Sequence, residues 1–266
     1  MSYLEAKNIK IIYRKSPDDP GLVAVENLNL SVNKGEFVTI VGPSGCGKST
    51  FLMSVDGLIR PDQGEVYIEG KKISSPGSER AVVFQEFALL PWRTVESNVA
   101  FGLEFRDIPP NEKKQTIDKY VKMVGLAGFE KHYPHQLSGG MRQRAGLARA
   151  LSVNPEILLM DEPFAAIDAQ TREIMGTELL RIWDREKKTV LFVTHSIDES
   201  IYLADRIVIM SARPGRVKEI IDVKLPRPRR FEVKSSMEFV EYRKRVWQTL
   251  EEEVKKVMDY GTDESG

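Results

Sequence analysis

The run Gly42-Pro43-Ser44-Gly45-Cys46-Gly47-Lys48-Ser49-Thr50 gathers the groups that a polyphosphate needs in one short stretch. It fits the spacing GxxxxGK(S/T). Glycines let the backbone wrap closely, so that several N–H groups point inward at phosphate oxygens. A helix predicted from Lys48 to Leu58 adds its positive end. Lys48 is placed to reach the β- and γ-phosphates, and the Ser49 hydroxyl to ligate Mg2+. The flanks agree, because Phe37 to Val41 reads as a strand feeding the loop and Phe51-Leu52-Met53 continues with helical spacing. These residues predict a nucleotide site.

A second group follows another apolar strand. Ile157 to Met160 runs into Asp161-Glu162-Pro163. An Asp in that position holds Mg2+ in phosphoryl-transfer enzymes, usually through water. The adjacent Glu162 can accept a proton from the water that attacks the γ-phosphorus, which is the chemistry of hydrolysis and not of sensing. A third group is Leu137-Ser138-Gly139-Gly140-Met141-Arg142-Gln143-Arg144. Ser138 suits a helix N-cap, and Gly139 and Gly140 leave backbone N–H groups bare at the helix start. That makes a second anion site in a chain whose first is already complete.

Buried strands and helices must carry these groups. Phe37 to Val41, Ala81 to Phe84, Ile157 to Met160, Val190 to Thr194 and Ile207 to Met210 are short apolar runs rich in β-branched residues. Helical spacing between some of them, notably Ala169 to Glu186, predicts an α/β domain with a mostly parallel sheet. Leu4 to Tyr13 and Leu28 to Val32 alternate as antiparallel strands with one wet face would. Strand signals vanish from Phe87 to Leu151, where Asn111 to Val124 and Ser138 to Leu151 read as helices. An inserted α-helical subdomain (87–151) is therefore expected between two core segments (1–86 and 152–225), with an antiparallel β subdomain at the N-terminus. Residues 226–266 read as a Pro- and Arg-rich linker and a last helix, Glu238 to Met258, with Phe239, Val246, Leu250, Val254 and Val257 on one side.

Composition narrows the setting. Lys plus Arg (39) equals Asp plus Glu (39), so no net field recruits nucleic acid or anionic lipid. No apolar run approaches the roughly 18 residues of a transmembrane helix, and MSYLEAKNIK lacks the pattern of a signal peptide. The single Cys46 excludes an internal disulfide and fits a reducing compartment. Action at a membrane would then come from the cytoplasmic face, through partners.

With these motifs in this order, residues 1–225 resemble the ABC ATPases, which implies a P-loop NTPase core of ABC type that binds ATP with Mg2+ and hydrolyses it. The resemblance implies that the Ser138 to Gly140 segment of one copy closes over the γ-phosphate held by the loop of a second copy. Two ATP molecules are then buried in a dimer that separates after hydrolysis. It also implies roles for other positions. Gln85 stands where the family has a Gln touching Mg2+ and the attacking water. His195 stands at the switch position that contacts the γ-phosphate, with Ser196 and Glu199 in a capping-box pattern behind it. Asp168, in Ala165-Ala166-Ile167-Asp168, matches a loop that crosses the dimer interface, and it also suits the cap of the next helix. Tyr13, ahead of an inserted hairpin loop at Ser16 to Leu22, is matched to the aromatic residue that stacks on adenine. Met141 stands where many members have Gln, and Ala and Ile replace a more usual Ser and Leu before Asp168.

The family partners implied are transmembrane permease subunits and, indirectly, a solute-binding protein. Phe87-Ala88-Leu89-Leu90-Pro91-Trp92-Arg93-Thr94-Val95 looks most like the nitrate, sulfonate and taurine import group; importers of pyrimidine or thiamin precursors share much of this text. Two other classes compete: a non-transport ABC ATPase acting on chromosomes or ribosomes, and a nucleotide-binding scaffold in which Glu162 and His195 are idle. Because Cys46 lies inside the loop, alkylation is expected to abolish ATP binding, and bound ATP to protect the thiol.

Overall fold

The structure, a computed structural model, describes all residues except 1, 17, 87 and 264–266, with 257–263 described by backbone alone. In chain order the elements are β1 (Leu4–Tyr13), β2 (Leu22–Val32), β3 (Phe37–Val41), α1 (Lys48–Asp56), β4 (Gln63–Ile68), β5 (Lys71–Lys72) and β6 (Arg80–Val83). Then come α2 (Val95–Ala100), α3 (Pro110–Met123), α4 (Gly139–Ser152), β7 (Ile157–Asp161), α5 (Ala169–Glu186) and β8 (Thr189–Val193). The chain ends with α6 (Ile197–Leu203), β9 (Arg206–Met210), β10 (Val217–Asp222) and α7 (Met237–Asp263). Contacts group these into two compact units, Met1–Gly77 with Thr189–Gly266, and Ser78–Lys188.

In the first unit, β1 pairs antiparallel with β2 and β4. Its buried positions alternate, as a sheet wet on one face requires. Strand β2 starts at Leu22 and not at Leu28, because the ladder continues up to the Tyr13 and Leu22 pair. Strand β3 lies between β8 and β9, parallel to both, and β10 is an antiparallel edge on β9. Every residue of β3 and β8 is buried, which is why these strands read as unbroken apolar runs.

Pro226 to Arg230, expected as a linker, is anchored to the fold at Arg229, while Pro226, Pro228 and Arg230 are exposed. Arg229, 6% exposed, donates to the carbonyls of Ile201, Tyr202 and Ala204 at 3.1, 3.0 and 2.6 Å, and also to those of Val223 and Leu225. A guanidinium can serve this many acceptors because its donors fan out in one plane. Burial, aided by the Arg227 charge, lowers its pKa to about 10. Helix α7 then packs on α6, and its Phe239 and Val246 are fully buried. The expected stripe breaks further on: Leu250 is half-buried, Val254 is exposed, and Glu253 takes the buried place at 1% exposure. The Val257 side chain lies outside the described residues.

In the second unit, β6 and β7 pair in parallel. Between them every regular element among the described residues is helical. The compact unit is wider than the 87–151 insert read from the pattern, since α4 packs on both β6 and α5 and draws β6, β7 and α5 into one body. No helix among the described residues is long and apolar enough to cross a membrane.

Candidate nucleotide site

The phosphate loop connects β3 to α1. Gly47, at φ 97°, occupies the N-cap of α1, and no side chain caps that helix. By contrast, Thr94, Ser138, Asp168 and Ser196 cap α2, α4, α5 and α6 with their side chains. No side chain therefore caps the start of α1, where the positive end of the helix dipole favours an anion. A Cβ on Gly47 would sit 2.7 Å from the Ala24 carbonyl oxygen, so the residue must be glycine for space as well as for its dihedral.

Lys48 is 4% exposed, and its Nζ donates to the carbonyls of Gly42 and Pro43 at 3.0 Å each. The loop backbone thereby fixes the ammonium at its own mouth. Cys46 is 1% exposed, and its thiol faces inward, where a Cβ on Gly42 would be 2.8 Å from Sγ. Burial raises the thiol pKa, against the lowering effect of Lys48. Alkylation of Cys46 is slow on this ground, because the reagent meets neither an exposed sulfur nor an easily formed thiolate. Tyr13 ends β1, 47% exposed, and its hydroxyl shares a 3.1 Å hydrogen bond with Thr50 Oγ1.

Strand pairing brings His195 to the same edge. Ile40 pairs with Val193, so the loop after β3 and the turn after β8 leave neighbouring parallel strands at their carboxyl ends, where open α/β sheets bind ligands. His195 is exposed, and its neighbours are pinned. The Thr194 N–H donates to Ile40 at 3.1 Å, and the Ser196 N–H to Thr194 Oγ1 at 3.0 Å. Only half of the expected capping box forms. Ser196 Oγ accepts from the Glu199 N–H at 3.3 Å, whereas the Glu199 carboxylate accepts from the Thr194 hydroxyl.

In the second unit, Val83 pairs with Met160, which sets Gln85 beside Asp161 and Glu162 at the carboxyl end of two parallel strands. Glu162 has φ 45°, the left-handed region that costs a residue with a Cβ roughly 1–2 kcal/mol and recurs at functional sites. The segment after Gln85 is anchored by two residues that the motifs did not flag. Buried Asn98 bonds both backbone groups of Leu90 and the carbonyls of Arg93 and Thr94, and Arg149 donates to the Ala88 carbonyl at 2.6 Å. Asn98 follows Glu96 and Ser97 on α2, so no local pattern in the sequence set it apart from its polar neighbours. Phe87, the first residue of the segment that resembles the import group, lies outside the described residues.

Ser138 caps α4 by accepting from the Met141 N–H at 3.3 Å, which leaves the amides of Gly139 and Gly140 outside that cap. A Cβ on Gly140 would lie 2.7 Å from Thr171 Cγ2, so the glycine also lets α4 approach the start of α5. Asp168 caps α5 by accepting from the Thr171 N–H at 2.9 Å, and that bond holds its carboxyl below the usual carboxylate range.

Among the described residues no group of three or more His, Cys, Asp or Glu could hold a metal alone. Ser49 in the first unit, and Gln85 and Asp161 in the second, each offer a hard oxygen donor of the kind Mg2+ takes.

A family model described as ABC transporter matches residues 25–165. An uncharacterized ABC transporter ATP-binding protein of Methanocaldococcus jannaschii is 56% identical over 233 residues, 88% of this chain and 86% of that protein. An aliphatic sulfonates import ATP-binding protein of Bacillus cereus is 49% identical over 227 residues, 85% of this chain and 88% of its own length. Among solved structures, a dimeric post-hydrolysis ATP-binding cassette bound to ADP and Pi superposes with a TM-score of 0.73 at 34% identity, covering 84% of this chain and all of that one.

Proposed function

Since the chain belongs to the ATP-binding subunits of ABC transporters, we propose that its ATPase activity drives import of a small solute of the sulfonate, taurine or nitrate kind through a separate permease. The observation that carries the ATP reading is the uncapped start of α1 beside the buried Lys48. The Bacillus relative supports the solute class.

In this reading two copies close over two ATP molecules, as the dimeric cassette suggests. Lys48 and the loop amides take up phosphate charge. Ser138, Gly139 and Gly140 of one copy meet the γ-phosphate held by the other. Glu162 orients the attacking water and accepts its proton; Gln85 and His195 respond to the state of the γ-phosphate. Asp168 contributes where the copies meet, and Tyr13 stacks on adenine. Ser49, Asp161 and Gln85 would hold Mg2+, which would neutralise phosphate charge when bound. Charge-assisted contacts of this sort are worth roughly 1.5–3 kcal/mol each, and those made across the pair disappear with the phosphate. That loss reopens the dimer. The subunit works at the cytoplasmic face of the membrane, and a solute-binding protein delivers cargo to the permease.

The test is co-purification of the tagged chain from mild detergent, followed by uptake assays with the recovered permease. Labelled taurine, an alkanesulfonate and nitrate should accumulate with ATP. Uptake of a pyrimidine or thiamin precursor instead would overturn the solute class, and ATPase activity stimulated by DNA or ribosomes without any permease would overturn transport.

A further inference from the structure

The turn between β9 and β10, residues 211–216, braces the phosphate loop from outside. Arg213 donates from Nε and Nη2 to the Gly45 carbonyl at 3.2 and 3.0 Å. Gly215 packs so tightly that a Cβ there would fall 2.0 Å from the Cys46 carbonyl oxygen, and its N–H donates to Ala24 at 2.9 Å. The turn is closed on itself by the Ser211 N–H, which donates to Arg216 at 2.9 Å, and by the Arg216 N–H, which donates to Ser211 Oγ at 3.0 Å. On its far side, the Ala212 N–H donates to the Glu253 carboxylate of α7 at 2.9 Å. That carboxylate is 1% exposed and also takes Lys256 at 2.6 Å and Lys218 at 3.3 Å.

We infer that Arg213 is a positioning residue for the phosphate loop, and that Glu253 of the C-terminal helix holds the turn that carries it. A peptide group is planar and trans, so its carbonyl and N–H point in opposite directions. Holding the Gly45 carbonyl on Arg213 therefore aims the Cys46 N–H of the same peptide back into the loop. There it points at the Pro43 carbonyl, 3.4 Å away, the oxygen that also holds Lys48 Nζ. Gly45 sits at φ 72°, where a glycine has little intrinsic preference for one side of the map over the other, so an external anchor has a conformation to select. Glu253 acts one step back: its bond to Ala212 sets the residue beside Arg213. The C-terminal helix thus reaches the nucleotide loop through two hydrogen-bonded contacts.

This inference rests on residues 42–50 being the nucleotide site, and the experiment separates the two. A fluorescent ATP analogue is titrated against the full chain and its Arg213→Ala, Arg213→Lys, Glu253→Gln, Glu253→Ala and Lys48→Ala variants. Steady-state ATPase kinetics and nucleotide-free thermal melts accompany each titration. Arg213→Ala should weaken analogue binding about three- to tenfold, the scale of an exposed charge-assisted contact, and raise KM more than it lowers kcat. Arg213→Lys should recover part of the loss, and Glu253→Ala should shift affinity in the same direction as Arg213→Ala. Unchanged affinity in Arg213→Ala, or a loss in every variant that follows the melting temperature with no rescue by Lys, overturns the positioning role. Wild-type binding by Lys48→Ala would instead overturn the nucleotide site itself.

Discussion

The Tyr13 hydroxyl and Thr50 Oγ1 lie 3.1 Å apart, which ties the end of the first strand to the last residue of the phosphate loop. The bond sets the phenol ring beside the loop while its face stays partly open, at 47% residue exposure. A stacking role and an anchoring role can be parted by two substitutions. Tyr13→Phe should bind nucleotide nearly as well as wild type, because the face is kept and only the bond to Thr50 goes. Tyr13→Ala should lose about 1–3 kcal/mol of nucleotide binding, the usual worth of an aromatic face against a base. Isothermal titration with ATP measures both; equal losses would assign Tyr13 to anchoring alone.

Glu162 carries both the candidate general base and a left-handed backbone. Glu162→Gln should keep ATP affinity and cut turnover by roughly two to four orders of magnitude. Glu162→Gly should abolish turnover equally, yet raise stability by about 1 kcal/mol, because glycine relieves the backbone cost. Single-turnover hydrolysis with urea unfolding separates the two effects. Near-normal hydrolysis by the Gln variant would remove Glu162 from the chemistry.

Cys46 is inward-facing, with its thiol pKa raised by burial. Native protein at pH 7 should react with iodoacetamide far more slowly than unfolded protein, and Mg-ATP should slow it further by holding the loop shut. Mass spectrometry of the labelled peptide over time gives the rates. Reaction as fast as that of a free thiol would contradict the buried position.

Glu253 supplies a pH dependence whose sign follows from its partners. Burial pushes its carboxyl up, but Lys256, the Ala212 N–H and Lys218 together pull it below the ordinary carboxylate value. A depressed folded pKa means that the unfolded chain binds the proton more readily. The stabilisation is therefore fully present above the unfolded carboxylate pKa and is lost as pH falls through the folded one. Urea midpoints measured from pH 7 downward should fall less steeply in Glu253→Gln than in wild type.

Much of the site was legible because its parts are local in the chain. The Gly42 to Thr50 spacing, Asp161 and Glu162 after an apolar run, Ser138 before two glycines, and the caps at Asp168 and Ser196 are each short-range patterns. Short-range patterns survive without knowledge of the fold. The limits of β3, α5 and β1 could be read for the same reason, since burial on both faces or strict alternation leaves its own period. The stripe expected on α7 failed at Glu253, because a charged residue can be buried wherever the fold brings it an N–H and two ammonium groups.

By itself, then, the sequence determined the nucleotide chemistry, the family and the identity of the groups at the strand ends, each encoded within a few neighbouring residues. Tertiary structure alone decided that His195 leaves the sheet beside the phosphate loop, that the Cys46 thiol faces inward, and that Arg213, 168 residues from Gly45, grips its carbonyl. Pairing between strands distant in the chain creates those proximities, and no local spacing records which strand will be the neighbour.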